Sequence, residues 1–117
     1  LDTDSVSKAV SLMKENAVGS CLVIDEKINL VGIFTERDVL NKIIGHDDLL
    51  NEPVSKYMTK NPQTIMANDS VVIALQMMTK GNFRHLPVVN MEKKAVGAIS
   101  IRDIMTFLAN HFQLVYK

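Results

Sequence analysis

The chain has 117 residues, 47% hydrophobic and 22% charged, a globular composition rather than a disordered one. Thirteen basic residues balance thirteen acidic ones, so no overall field draws the chain to nucleic acid or an anionic membrane, and any phosphate site must be local. The single cysteine, Cys21, excludes an internal disulfide and a cysteine metal cluster and fits a reducing, cytoplasmic compartment, and no apolar run approaches the ~18 to 20 residues of a membrane span.

From Asp4 to Lys14 the apolar residues Val6, Ala9, Val10 and Met13 recur at helical spacing behind a cap at Asp4 or Ser5. Cys21 to Ile24 and Leu30 to Thr35 are short β-branched runs separated by Asp25-Glu26-Lys27, which predicts two strands and a turn. Thr35 caps a second helix whose apolar face is Val39, Leu40, Ile43 and Ile44, with Gly45 as its stop. His46 to Pro62 is polar and broken by Pro53 and Pro62, which predicts a linker with one short helical turn at Val54 to Met58. A strand at Thr64 to Met66, a helix at Ser70 to Thr79, strands at Leu86 to Val89 and Ala95 to Ser100, and a last helix at Ile101 to His111 follow. The face of that last helix is Ile101, Ile104, Met105, Leu108 and Phe112.

The second half of this order repeats the first. Gly97-Ala98-Ile99-Ser100-Ile101-Arg102-Asp103 has the pattern of Gly32-Ile33-Phe34-Thr35-Glu36-Arg37-Asp38, 65 positions earlier. At the same offset, without a gap, Asp4, Ser5, Val6, Ala9 and Met13 fall on Asp69, Ser70, Val71, Ala74 and Met78, and His46 and Leu49 fall on His111 and Leu114. A repeated unit of this size completes its core against its copy, so neither lobe is expected to fold alone. The boundaries are a first repeat at 1–50, a linker at 51–62 and a second repeat at 63–117. The chain opens inside the first unit, so that repeat is expected to lack its opening strand, with further sequence expected upstream of Leu1.

A hydroxyl followed three residues later by Asp at a helix start is first of all a capping box. Both copies, however, carry an Arg immediately before the Asp, which capping does not require: Thr35, Arg37 and Asp38 in one, Ser100, Arg102 and Asp103 in the other. A hydroxyl and an Arg at a helix start suit a phosphate, and a carboxylate accepts hydrogen bonds from ribose hydroxyls. Arg84 and His85, entering the strand beside Ser100 and Asp103, add two cations to that second site, whereas the first repeat has the uncharged Gly19, Ser20 and Cys21 there. The two sites are therefore chemically unequal, and phosphorylated ligands are expected at the second. Cys21 has no local base and reads as a small packed hydrophobe, Met77 and Met78 read as core or interface, and His46, His85 and His111 lack metal-ligand spacing.

These motifs, with the Phe83-Arg84-His85-Leu86-Pro87-Val88-Val89 strand entrance and the Tyr57-to-Ile65 linker, resemble a cystathionine β-synthase (CBS) domain pair, or Bateman module, over essentially the whole chain. The resemblance implies an α+β fold of tandem pseudo-two-fold β-α-β-β-α repeats, two small sheets packed together with flanking helices. It implies adenosine ligands (AMP, ADP, ATP or S-adenosylmethionine) in clefts between the lobes, bound as regulators rather than catalytic cofactors. Asp38 and Asp103 would hold ribose, Thr35 and Ser100 would lie near ribose and phosphate, and Thr64, Ile65, His85, Leu86 and Pro87 would form an adenine wall. It further implies association into a homodimer and an effector domain upstream or in trans, without direct nucleic-acid or membrane binding. Three functions stay open on the sequence: an adenosine-sensing regulatory module, a ligand-free dimerisation unit of the same fold, and an enzyme.

Overall fold

The computed structural model describes residues 1–112, with side chains to Ala109, so the expectations for His111, Phe112 and Leu114 lie outside it. Helix α1 (Val6–Glu15) starts where the Ser5 hydroxyl accepts the Lys8 N–H at 3.1 Å, and it buries Val6, Ala9 and Met13. Strands β1 (Ser20–Ile24) and β2 (Leu30–Thr35) form an antiparallel hairpin, and β3 (Thr59–Lys60) pairs antiparallel with the far edge of β2. The second sheet is β4 (Ile65–Met66), parallel to β5 (His85–Val89), which pairs antiparallel with β6 (Ala95–Ser100). Helix α3 (Val71–Gly81) separates β4 from β5, and α4 (Ile101–Phe112) follows β6 directly.

The repeat is visible bond by bond. Asp25 Oδ1 accepts the Lys27 and Asn29 N–H groups at 2.8 and 3.0 Å and so shapes the β1–β2 turn. At the same place between β5 and β6, Asn90 Oδ1 accepts from Glu92 and Lys94 at 2.9 and 3.0 Å. The Ser70 hydroxyl caps α3 as Ser5 caps α1, and both hairpins shift register at equivalent points, Val23/Ile24 and Val88/Val89. The Asp2 N–H donates to the Ile24 carbonyl at 2.9 Å, beside β1 where β4 lies beside β5.

Two expectations fail for identifiable reasons. The segment taken as a linker is built into the first lobe: Val54 is part of its core, the Val6 N–H donates to Glu52, the Val54 N–H donates to Asp4, and the Met58 side chain lies over Gly32. The 3-10 turn at Val54–Lys56 is the expected short helical turn, whereas the 3-10 turn at Asp47–Asn51 and β3 are additional, and the pairing of β3 depends on a remote strand edge that leaves no periodic signature. The second difference is helix α2, one α-turn at Glu36–Asp38 that continues as a π-helix at Val39–Ile43. The wider turn rotates the expected face, so Ile43 is buried while Leu40 and Ile44 are 68% and 63% exposed. Within this turn Lys42 donates to the Tyr57 carbonyl at 2.8 Å and pairs with Asp38 Oδ1 at 3.0 Å.

The buried residues form two cores, one per lobe, rather than one shared core. The first gathers α1, Val23, Phe34, Ile43 and Val54, and the second gathers Ile65, Ala74, Met78, Leu86 and Ile104. Ile33 and Pro87 are buried but belong to neither. They alternate along their strands with the core residues Phe34 and Leu86, so they face the opposite side, where β1 meets β6 and β2 meets β5. The lobes therefore pack sheet to sheet. The seam is pinned by the repeat mates Asn29 and Lys94, which form a bridge, with Lys94 Nζ donating to the Lys27 carbonyl at 2.9 Å and to Asn29 Oδ1 at 2.6 Å.

The β1–β2 turn puts the β-branched Ile28 at φ 67°, a left-handed conformation that costs about 1–2 kcal/mol for such a residue. Its side chain is 53% exposed, so little packing offsets that strain. Ile28→Asn should therefore raise the unfolding free energy by about 1 kcal/mol in urea denaturation, because Asn tolerates this conformation.

Candidate functional site

Each lobe ends β2 or β6 in the same cap. In the first, Asp38 Oδ2 accepts the Thr35 N–H at 2.9 Å and the Thr35 hydroxyl at 3.2 Å, and the Asp38 N–H points back to that hydroxyl at 3.4 Å. In the second, Asp103 Oδ2 accepts the Ser100 N–H at 2.8 Å and the Ser100 hydroxyl accepts the Asp103 N–H at 3.1 Å. The capping function is thus real in both. The two carboxylates differ in what remains of them: Asp38 is 7% exposed and paired with Lys42, whereas Asp103 is exposed and has no ion pair among the described residues.

A cleft of about 590 Å³ opens beside the first cap. One wall is Thr35, Glu36, Arg37, Asp38 and Leu40, the other is Gly81, Phe83, Arg84 and His85, and Asn61, Pro62 and Gln63 line it between them. The lining differs from the expected grouping: Arg84 and His85 lie with Thr35 and Asp38 of the other repeat, and Ser100, Arg102 and Asp103 do not line this cleft, although His85 also pairs with Ser100 along the sheet and feels the Asp103 charge. The cause is topological: β5 pairs His85 with Ser100 through the backbone, and the sheet-to-sheet packing turns the start of β5 across the seam toward α2.

The expected adenine wall changes as well. Leu86 is buried in the second core, Pro87 is buried on the seam and Ile65 is buried in the second core, so none of the three offers a side chain to this cleft, and Thr64 does not line it. Gly19, Ser20 and Cys21 are half-buried at the start of β1, outside the lining, and burial pushes the Cys21 thiol up from its ordinary pKa. Gly19 nevertheless matters. A Cβ there would stand 2.0 Å from Glu36 Oε1 and 2.9 Å from His85 Cε1, so its bare backbone is what lets these two side chains converge.

Phe83 and Glu36 are among the cleft residues that sequence reasoning missed. Phe83, whose ring folds back over Gly81, supplies the aromatic wall, and its place beside Arg84 in the strand entrance was the available signal. Glu36 adds a carboxylate where the second repeat has Ile101. Arg37, expected as a phosphate ligand, donates from Nη1 to the Asn82 carbonyl at 3.0 Å and thereby ties α2 to the C-terminal end of α3 in the other lobe. Asn82 holds its left-handed cap at φ 56°, whereas its repeat mate Ala17 sits at φ 52° without an Asn side chain.

Comparison with known proteins assigns the family. The CBS-domain family model matches residues 1–45 and 54–110, and the chain belongs to that family. An uncharacterized 17.7 kDa protein of Acidianus ambivalens is 39% identical over 100 residues, 86% of this chain and 60% of that protein. A putative signal-transduction protein with CBS domains from Burkholderia ambifaria superposes with TM-score 0.85 at 30% identity, over 99% of this chain and 85% of the other. A CBS domain protein from Pyrobaculum aerophilum, solved in complex with AMP, gives TM-score 0.79 at 28% identity, over 93% and 88% of the two chains. The chain thus spans less than two thirds of the Acidianus relative's length. No helix among the described residues is long and apolar enough to cross a membrane.

His85 is half-buried, and desolvation lowers its pKa from the ordinary 6.5, a shift opposed by Glu36 and Asp103 and aided by Arg84 and Arg37. A histidine depressed in the folded state contributes stability that is complete above the unfolded pKa and is lost as pH falls through it. The His85 imidazole should therefore titrate below 6.5 by NMR. Replacing it by Gln should flatten the fall in stability on acidification from about pH 6.5 to 5.

Proposed function

We propose that the cleft binds an adenosine-type ligand, AMP, ADP, ATP or S-adenosylmethionine, and that the chain is a regulatory module rather than an enzyme. The observation that carries this reading is the meeting, in one interlobe cleft, of a carboxylate with spare acceptor capacity, an aromatic ring and a guanidinium. Asp38 Oδ2 is used by the cap and Oδ1 by Lys42, which leaves Oδ1 one lone pair for a ribose hydroxyl. Phe83 offers a face for adenine, and Arg84, free of any ion pair among the described residues, offers a counter-charge. The cleft volume is that of a small-molecule site. The AMP complex of the Pyrobaculum relative supports the same ligand class.

Thermal-shift titration with adenosine, AMP, ADP, ATP and S-adenosylmethionine tests the reading, since a ligand of the folded state raises Tm with concentration. Asp38→Asn should weaken the best of these by about 10- to 100-fold, the worth of one hydrogen bond to a charged acceptor. Asp103→Asn should leave this cleft unaffected. Absence of any shift would leave a ligand-free dimerisation unit, a reading favoured by the completeness of both caps without a ligand.

The assembly we propose is a cytoplasmic homodimer that places an attached effector under the control of the cleft. Its support is a pair of repeat mates, Leu40 and Met105, which are 68% and 58% exposed at equivalent positions of α2 and α4. Ile44 extends the apolar surface on the first lobe. Sedimentation should show a dimer at about 10 µM, and Leu40→Glu with Met105→Glu should return it to a monomer, since two buried charges per copy cannot be accommodated at an apolar contact.

A further inference from the structure

From the charges that line the cleft we infer that Glu36 is a specificity-determining residue that limits the ligand to an adenosine carrying no more than one phosphate, and that polyphosphates are disfavoured. This inference rests on the adenosine reading above and narrows it. The groups that could meet a phosphate chain are few. Two carboxylates, Glu36 and Asp38, and two guanidinium groups, Arg37 and Arg84, line the cleft, and Lys42 stands behind Asp38 at 3.0 Å. Three cations against two carboxylates leave a surplus of one positive charge, while ATP without a bound cation brings about four negative ones.

The commitments of these groups sharpen the count. Lys42 is paired with Asp38 and also donates to the Tyr57 carbonyl. Arg37 spends one nitrogen on the Asn82 carbonyl across the seam. His85 is half-buried, and desolvation, helped by Arg84 and Arg37 and opposed by Glu36 and Asp103, favours its neutral form and withholds a further cation. Arg84 is then the one lining cation without a protein partner among the described residues. One guanidinium suits one phosphate, bound through two parallel hydrogen bonds.

Glu36 makes the restriction active rather than passive. Its carboxylate has no hydrogen bond or ion pair among the described residues, and it stands with His85 against the bare backbone of Gly19. A chain of phosphates running from Arg84 across the cleft meets that negative charge on the opposite wall. The second repeat has Ile101 at the equivalent position, so the carboxylate is not a requirement of the cap.

The test is calorimetric titration of adenosine, AMP and ATP, with EDTA present, into the wild-type chain, Glu36→Gln and Glu36→Lys. The wild type should bind ATP no more tightly than AMP. Glu36→Gln should strengthen ATP by about tenfold and AMP by less, Glu36→Lys should go further in the same order, and adenosine should change in neither, with the gains shrinking as salt is raised. A wild type that prefers ATP to AMP overturns the inference, as does an ATP-to-AMP ratio that is the same in all three proteins while adenosine still binds. Failure of adenosine, AMP and ATP alike to bind the wild type, when S-adenosylmethionine also fails, sinks the adenosine reading itself.

Discussion

Everything in this molecule depends on the face that each small sheet cannot cover by itself. Helices α1 and α2 cover one side of β1 and β2, and α3 and α4 cover the same side of β5 and β6, which gives two separate cores. The other side carries Ile33 in one lobe and Pro87 in the other, and these are buried only because the lobes meet there. The seam is narrow, so polar contacts at its edges fix its register: Lys94 on Lys27 and Asn29 at one end, Arg37 on Asn82 at the other. The cleft lies beside that second contact, with Arg37 in its lining.

Duplication explains why the cleft is built as it is. The Glu36 N–H donates to the Gly19 carbonyl at 3.0 Å, and the Ile101 N–H donates to the Arg84 carbonyl at 2.8 Å, so each cap is tied to the strand entrance of its own lobe. Packing of the two lobes then brings the Thr35 and Asp38 cap toward the strand entrance of the other lobe, where Arg84 and His85 line the same cleft. The repeats kept the backbone solution and diverged in the side chains facing the clefts: Glu36 against Ile101, and Gly19 against Arg84.

The periodic elements were legible in the sequence because their signals are local. The spacing of Val6, Ala9 and Met13, the Ser5 and Ser70 caps, and the Thr35 and Ser100 capping positions all lie within a few residues of the structure they specify. The repeat also exposed the site's raw material, Thr35, Asp38, Arg84 and His85. What could not be read was how these pair, since that depends on the handedness with which two sheets pack, and no short stretch encodes it. The same limit hid β3, which exists only because Gly32 and Ile33 present a strand edge to Thr59 and Lys60. It also hid the π-turn at Val39–Ile43, in which Lys42 is held by Asp38 and the Tyr57 carbonyl.

In the proposed reading the cap doubles as a ligand site, which constrains the chemistry of both roles. The Thr35 hydroxyl donates to Asp38 Oδ2 and lies close to the Asp38 N–H, so it has little left to give a ligand. Asp38, nearly buried and neutralised by Lys42, can offer one acceptor without breaking the helix start. The consequence is a site whose geometry exists before any ligand arrives, because folding itself orders the carboxylate and the turn beside it. Binding then costs little reorganisation at the cap. The groups left to respond are those on the exposed walls, Arg84, Phe83 and Glu36, which stand on opposite lobes. In that reading, a ligand that touches both walls bridges the two lobes and so biases how they sit against each other.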